Sequence, residues 1–218
     1  MKDGRRQQSE KSIHAILAAA TQQFGEKGYD GARVDVIARE AGVNKAALYY
    51  HFGDKETLYE QVLTEVIGQM AEGIRRDAIA CASAEAKLLS MIRNLASNVG
   101  QHQYFAVMML REMASGCINL PKEVLAQIAS LFNVLKNILE EGVLAGQFRQ
   151  VSPFVVHMQI VGGMLFFVSS EPARRKMVEA GMAEKDVLFG DRLEDIANEL
   201  AQVILEGLRY GPERAGSR

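Results

Sequence analysis

The sequence predicts an all-α fold of about nine helices, with an N-terminal three-helix helix-turn-helix domain followed by a larger helical domain. Three observations carry that expectation. Apolar residues recur at helical spacing through most of the chain, and no strand-like alternation competes with them. The 218 residues are 48% hydrophobic, rich in Ala, Leu and Met, and include only 4 Pro, a composition that favours helices and seldom breaks them. Finally, residues 28–63, GYDGARVDVIAREAGVNKAALYYHFGDKETLYEQVL, read as two short helices about a tight glycine turn.

The first helix is expected over residues 8–26, where Ile13, Ile16, Leu17, Ala20 and Phe24 share a stripe and Gly28 ends the run. In the second, Val34, Ile37, Ala38 and Ala41 fall on one side. Gly42 supplies the residue that can turn, Val43 plugs the corner, and Asn44 can accept hydrogen bonds from first-turn amides, capping a third helix over residues 45–51. Leu48 and Phe52 face inward. Lys45, Ala46, Tyr49, Tyr50 and His51 are left on the exposed side or at its ends, a donor-rich surface suited to DNA.

Asp54 is placed to cap a fourth helix that opens with Lys55 and Glu56 and continues through Leu58, Val62, Val66, Met70 and Ile74, linking head to body. Ser83 caps a fifth, striped by Leu88, Ile92, Leu95 and Val99, and a sixth follows over residues 103–115. Pro121 opens a seventh, along which Val124, Ile128, Leu131, Leu135 and Ile138 run until Gly142 and Gly146 weaken it. Ser152 and Pro153 start an eighth that ends before Pro172, and residues 171–190 leave room for one short extra helix. Asp191 and Glu194 resemble a capping box before a ninth, whose seam is Leu193, Ile196, Leu200, Ile204 and Leu208. The expected organisation is a head over residues 1–54, a body over 55–210 and a flexible tail over 211–218.

Composition narrows the function classes. Cys81 and Cys117 have no CxxC or Cys/His spacing, so the expectation is a reduced, cytoplasmic chain without a disulfide framework or metal site. MKDGRRQQSEKS lacks the apolar core of a secretory signal. Residues 154–168 are apolar but shorter than the roughly 20 residues of a membrane helix, and they contain His157 and Gln159, so no membrane partner is expected. Net charge is −2. Residues 1–60 are neutral, five Lys and four Arg balancing four Asp and five Glu, so positive potential has to come from clustering: Lys2, Arg5, Arg6 and Lys11, then Arg33, then Lys45, His51 and Lys55. The same counts also describe a solvated mixed surface.

The segments GYDGARV, IAREAGV and NKAALYYHFGDKETL, with the amphipathic helix before them, resemble the N-terminal domain of TetR/AcrR-type transcriptional regulators. The resemblance covers about the first quarter of the chain. It implies a DNA-binding regulator rather than an enzyme, most often a repressor: an all-helical homodimer whose head binds a palindromic operator in double-stranded DNA and whose body binds a small-molecule effector and dimerises. No cofactor is implied. Carried over residue by residue, it places Lys45, Ala46, Tyr49, Tyr50, His51 and Lys55 at DNA. Where the family often has Thr-Thr-Val before the second helix, this chain has Ala32, Arg33 and Val34, which replaces a hydroxyl phosphate ligand with a charged one.

In such a head, the Tyr49 and Tyr50 hydroxyls, the Lys45 ammonium and the His51 imidazole suit phosphate oxygens and set register. Ala46 and Ala47 allow close approach to bases and contact with a thymine methyl. Each tyrosine, taken singly, reads equally well as half-buried packing with its hydroxyl in water.

The body has two open questions. Phe154, Met158, Val161, Gly162 and Leu165, with Ile196, Leu200 and Ile204, read either as a dimer interface or as one protomer's interior. Met91, Leu95, His102, Phe105, Met108, Met109, Met113, Phe132 and Phe166 supply flexible or flat side chains for an effector pocket, and equally for core packing. No HExxH, GxSxG or phosphate loop supports an enzyme. Two alternative functions stand beside the effector-responsive repressor: a redox-responsive regulator using Cys81 and Cys117, and a helical adaptor without DNA binding.

Overall fold

The structure, a computed structural model, describes the backbone of residues 2–189 and 192–209 and the side chains of 6–188 and 192–209. The side chains of Lys2 and Arg5, the Asp191 cap and the tail from Tyr210 onward lie outside the described residues. Every regular element described is helical: α1 Lys2–Gly31, α2 Val34–Glu40, α3 Lys45–Phe52, α4 Lys55–Ala80, α5 Ala84–Gln101, α6 Gln103–Ala114, α7 Lys122–Leu144, α8 Pro153–His157, a π-helical turn Met158–Gly162, α9 Gly163–Ser169, α10 Glu171–Glu179, α11 Lys185–Phe189 and α12 Leu193–Leu208. The chain divides into two compact units, Met1–Ile67 with Tyr104–Ala126, and Gly68–Gln103 with Gln127–Arg218.

In the first unit the α1 stripe is buried at Ile16, Ala20 and Phe24, as are Ile37 and Ala38 of α2, Leu48 and Phe52 of α3, and Leu58, Tyr59, Val62 and Leu63 of α4. The α6 residues Phe105, Met108 and Met109 are buried too, and Glu112 lies on the same face, one helical repeat further on. Gly28 has φ 74°, which interrupts α1 where the sequence marks its end; one further turn follows before Ala32 N donates to Gly28 O. That interruption strands carbonyls of the preceding turn. The Arg111 guanidinium serves them, donating to Gly25 O at 2.6 Å and Glu26 O at 3.1 Å.

In the second unit α5 and α12 pack along each other, and α9 lies against both. Leu88, Ile92, Ala96 and Val99 are buried, as are Ala197, Ala201, Ile204 and Leu208. Ser83 caps α5 by accepting from Ala86 N. Arg149 closes the end of α12, its backbone N donating to Leu208 O at 2.7 Å and its Nε to Gly207 O at 2.6 Å.

Several boundaries differ from the sequence reading. The eighth helix contains a π turn and ends at Ser169, and Pro172 then sits in the first turn of α10, where its missing N–H costs nothing. Residues 171–190 hold two short helices, α10 and α11, rather than one. At α12 the carboxylate that accepts the Arg192 N–H belongs to Asp195, while Glu194 pairs with the Arg192 guanidinium. Among the described residues no single helix is long and apolar enough to cross a membrane.

Candidate nucleic-acid interface

The turn between α2 and α3 is closed locally. Ala41 N donates to Ile37 O and Val43 N to Ala38 O, while Gly42 takes φ 67° with nothing within 4 Å of the Cβ it lacks. Glycine is therefore required here by dihedral angle rather than by crowding. Asn44 Oδ1 accepts from Ala47 N at 2.8 Å, the cap expected from the sequence. Gly53 ends α3 at φ 76°, its N–H returning to Tyr49 O, and Asp54 Oδ1 accepts from Thr57 N at 2.7 Å to cap α4. The Thr57 backbone N–H, with the Thr57 hydroxyl, holds the Asp54 carboxyl below the usual carboxylate range.

With Leu48 and Phe52 buried, the opposite face of α3 is open. Tyr50 is 84% exposed and Tyr49 41%, Lys45 and Ala46 are exposed, and Ala47 and His51 are half-buried. Lys45 Nζ stands 5.6 Å from the Tyr49 ring, and the Tyr50 and His51 rings meet edge to face. A row of hydroxyls, an ammonium and an imidazole thus faces solvent from a helix capped at both ends. Arg33, exposed just before α2, forms a two-point ion pair with Asp35, which lowers the Asp35 carboxyl's pKa.

Lys55, half-buried in the first turn of α4, has a seat that the sequence did not suggest. Its Nζ lies 4.7 Å from the Tyr29 ring centre and donates to Asp30 O at 3.4 Å. Tyr29 in turn leans on Tyr59, at 5.0 Å between ring centres, and Tyr59 meets Phe24 edge-on at 4.8 Å. The Tyr59 hydroxyl donates to Glu112 Oε1 at 2.9 Å, and Glu112 Oε2 accepts from Asn119 N. Burial and the neighbouring carboxylate push the Tyr59 phenol far above its ordinary value. The available clue was Glu112 itself, a carboxylate at the fourth place of the stripe Phe105, Met108, Met109.

The proposed pocket residues divide between the units. Phe105, Met108, Met109 and Met113 belong to the first, where Met113 is exposed; Met91, Leu95, His102, Phe132 and Phe166 belong to the second, where Met91 and Leu95 are buried and Phe166 is exposed. Phe132 meets His157 edge-on at 5.4 Å, and burial lowers the His157 pKa. Two shallow recesses of about 300 and 310 Å³ lie between α5 and α12, lined by Arg93, Ser97, Gly100, Arg192 and Asn198 among others, and contain none of the proposed pocket residues. Of the proposed interface residues, Phe154 and Met158 are exposed, Val161, Gly162, Ile196 and Leu200 are half-buried, and Leu165 and Ile204 are buried within the protomer. Cys81 and Cys117 are free thiols, one in each unit. No group of three or more His, Cys, Asp or Glu able to hold a metal occurs among the described residues.

Comparison with known proteins gives an independent view. Residues 16–62 match the family model for bacterial regulatory proteins of the tetR family, and residues 85–196 match that for the tetracyclin repressor-like C-terminal domain. The fatty acid metabolism regulator protein of Bacillus subtilis is 26% identical over 150 residues, 69% of this chain and 77% of that protein. The structure of PfmR, a TetR family transcriptional regulator from Thermus thermophilus, is 27% identical and superposes with a TM-score of 0.65, covering 89% of this chain and 99% of that one. FadR from Bacillus subtilis, solved in complex with stearoyl-CoA, is 22% identical with a TM-score of 0.64 over 90% of this chain and 99% of its own.

Proposed function

The chain belongs to the tetR family of bacterial regulatory proteins and is a DNA-binding transcriptional regulator, and from that premise we propose that it is a homodimeric repressor released from a palindromic operator by a small-molecule effector. The observation that carries this reading is the outward face of α3, where Lys45, Tyr49 and Tyr50 stand in solvent on a capped helix whose other side is buried. Lys45, Tyr49, Tyr50 and His51 contact phosphates flanking the major groove, Ala46 and Ala47 approach the bases, and Lys55 meets a phosphate from α4. Arg33 supplies a further contact by exchanging Asp35 for phosphate.

Two heads are needed, because one neutralises few phosphates; half-sites are then separated by about 34–36 Å or a multiple of it. We assign the self-association surface to α8, the π-helical turn, α9 and α12, where Phe154, Met158 and Val203 are exposed apolar side chains. A bound effector favours a protomer arrangement in which the two α3 helices no longer match groove spacing, with α4 as the lever, lowering DNA affinity by a coupling of about 1–3 kcal/mol. Stearoyl-CoA, bound by FadR of Bacillus subtilis, is the first effector to test. The head serves cytoplasmic DNA and needs no cofactor.

Selection of duplexes from random DNA by the full-length protein tests the proposal. Recovery of a palindrome with paired half-sites supports it; the absence of any enriched duplex refutes it. Release of the recovered duplex by stearoyl-CoA identifies the effector class, whereas release only by unrelated compounds reassigns it.

A further inference from the structure

The seat beneath Lys55 is built more elaborately than a surface lysine requires. A lysine ammonium on a flexible four-carbon stem ordinarily loses considerable rotamer freedom when it docks on phosphate, and preorganising it reduces that loss. Here Nζ is held from below by the Tyr29 ring at 4.7 Å and from the side by Asp30 O at 3.4 Å. Burial, together with the carboxylates of Glu56, Asp54 and Asp30, raises the pKa of the Tyr29 phenol. The ring is placed by the Gly28 interruption, which turns α1 just before Tyr29, and is backed by Tyr59, whose hydroxyl is fixed on buried Glu112.

We infer that Tyr29 is a positioning residue for DNA binding: its ring, anchored through Tyr59 on Glu112, holds the Lys55 ammonium in the place from which it meets phosphate. The inference rests on the proposed role of Lys55. It also gives α6, which carries Glu112, a route to the DNA-facing surface that lies wholly within one unit of the chain.

The test is a double-mutant cycle in the full-length protein, using the duplex recovered by selection as the probe and Kd measured across salt concentrations. Tyr29→Leu removes the ring but keeps apolar bulk, Tyr29→Phe keeps the ring, and Lys55→Met removes the charge. Expected results are a loss of about fivefold for Tyr29→Leu, near-wild-type affinity for Tyr29→Phe, and no further loss when Tyr29→Leu is added to Lys55→Met. Equal losses from Tyr29→Leu in both backgrounds overturn the inference while leaving the Lys55 assignment intact, because packing damage would not depend on the lysine. A Lys55→Met protein with unchanged affinity and salt slope overturns the assignment and the inference together. The Lys55 ε-methylene proton shifts of the free protein supply a readout without DNA: a ring-current displacement present in the wild type and Tyr29→Phe but lost in Tyr29→Leu is expected, and its absence from the wild type contradicts the geometry.

Discussion

Arg111 donates to the Gly25 carbonyl at 2.6 Å and so ties α6 to the last turn of α1 before the Gly28 break. The bond joins residues 86 positions apart and answers a need created by the break, since helix-end carbonyls require donors. Replacing Arg111 with Met keeps the aliphatic stem and removes the donors. The expected cost is about 1–2 kcal/mol, discounted for the partial exposure of the guanidinium, read as a lower urea midpoint with the slope unchanged.

The Tyr59–Glu112 pair predicts a sensitivity to alkali. The Tyr59 pKa is raised from 10.0, so the folded state disfavours the phenolate; its contribution is complete below pH 10 and is lost as pH rises beyond it. Tyr59→Phe is expected to be less stable than wild type at pH 7, by about 1–3 kcal/mol, because the buried carboxylate loses its donor. Above pH 10 the gap should narrow, because only the wild type's unfolded chain gains by ionising that phenol. Urea unfolding of both proteins from pH 7 to pH 11 measures this, and a constant gap contradicts it.

Gly42→Ala tests the turn. At φ 67° an alanine is strained by about 1–2 kcal/mol, and because nothing lies within 4 Å of the added Cβ, no clash compounds that cost. Thermal unfolding should show a loss of that size, and operator affinity should fall further if the strain is relieved by tilting α3. A stability equal to wild type would mean that the turn adopts another conformation.

The sequence made the α2–turn–α3 segment legible because each of its features is local: Gly42 for the turn, Asn44 for the cap, Leu48 and Phe52 for the inward face. Stripes located α4 and α5 for the same reason, whereas the buried face of α12 is Ala197, Ala201, Ile204, Leu205 and Leu208, with Leu193, Ile196 and Leu200 of the expected seam only half-buried. What remained hidden depends on distant partners. Nothing near Arg111 indicates that its donors are needed at Gly25, and nothing near Tyr29 indicates that it seats Lys55. The π turn within residues 153–169 and the second of the two short helices after Ser170 are not legible, because apolar pattern locates helix faces but not changes in helical pitch or short helices of mixed composition.

The proposed self-association surface is tested by placing charge on it. Phe154→Glu with Met158→Lys alters two exposed side chains, so each protomer should keep its stability while sedimentation reports a shift from dimer to monomer. Losing one of two linked heads should weaken operator binding by about 10²–10⁴-fold. A variant that still dimerises moves the interface elsewhere.

The central claim, that the open face of α3 meets DNA, is tested most directly by the salt dependence of operator affinity for the wild type and Lys45→Ala. The account predicts a steep linear fall of log affinity with log salt in the wild type. In the variant the slope should be reduced by about 2, one phosphate contact per head in a dimer. Identical slopes and affinities in the two proteins would contradict it.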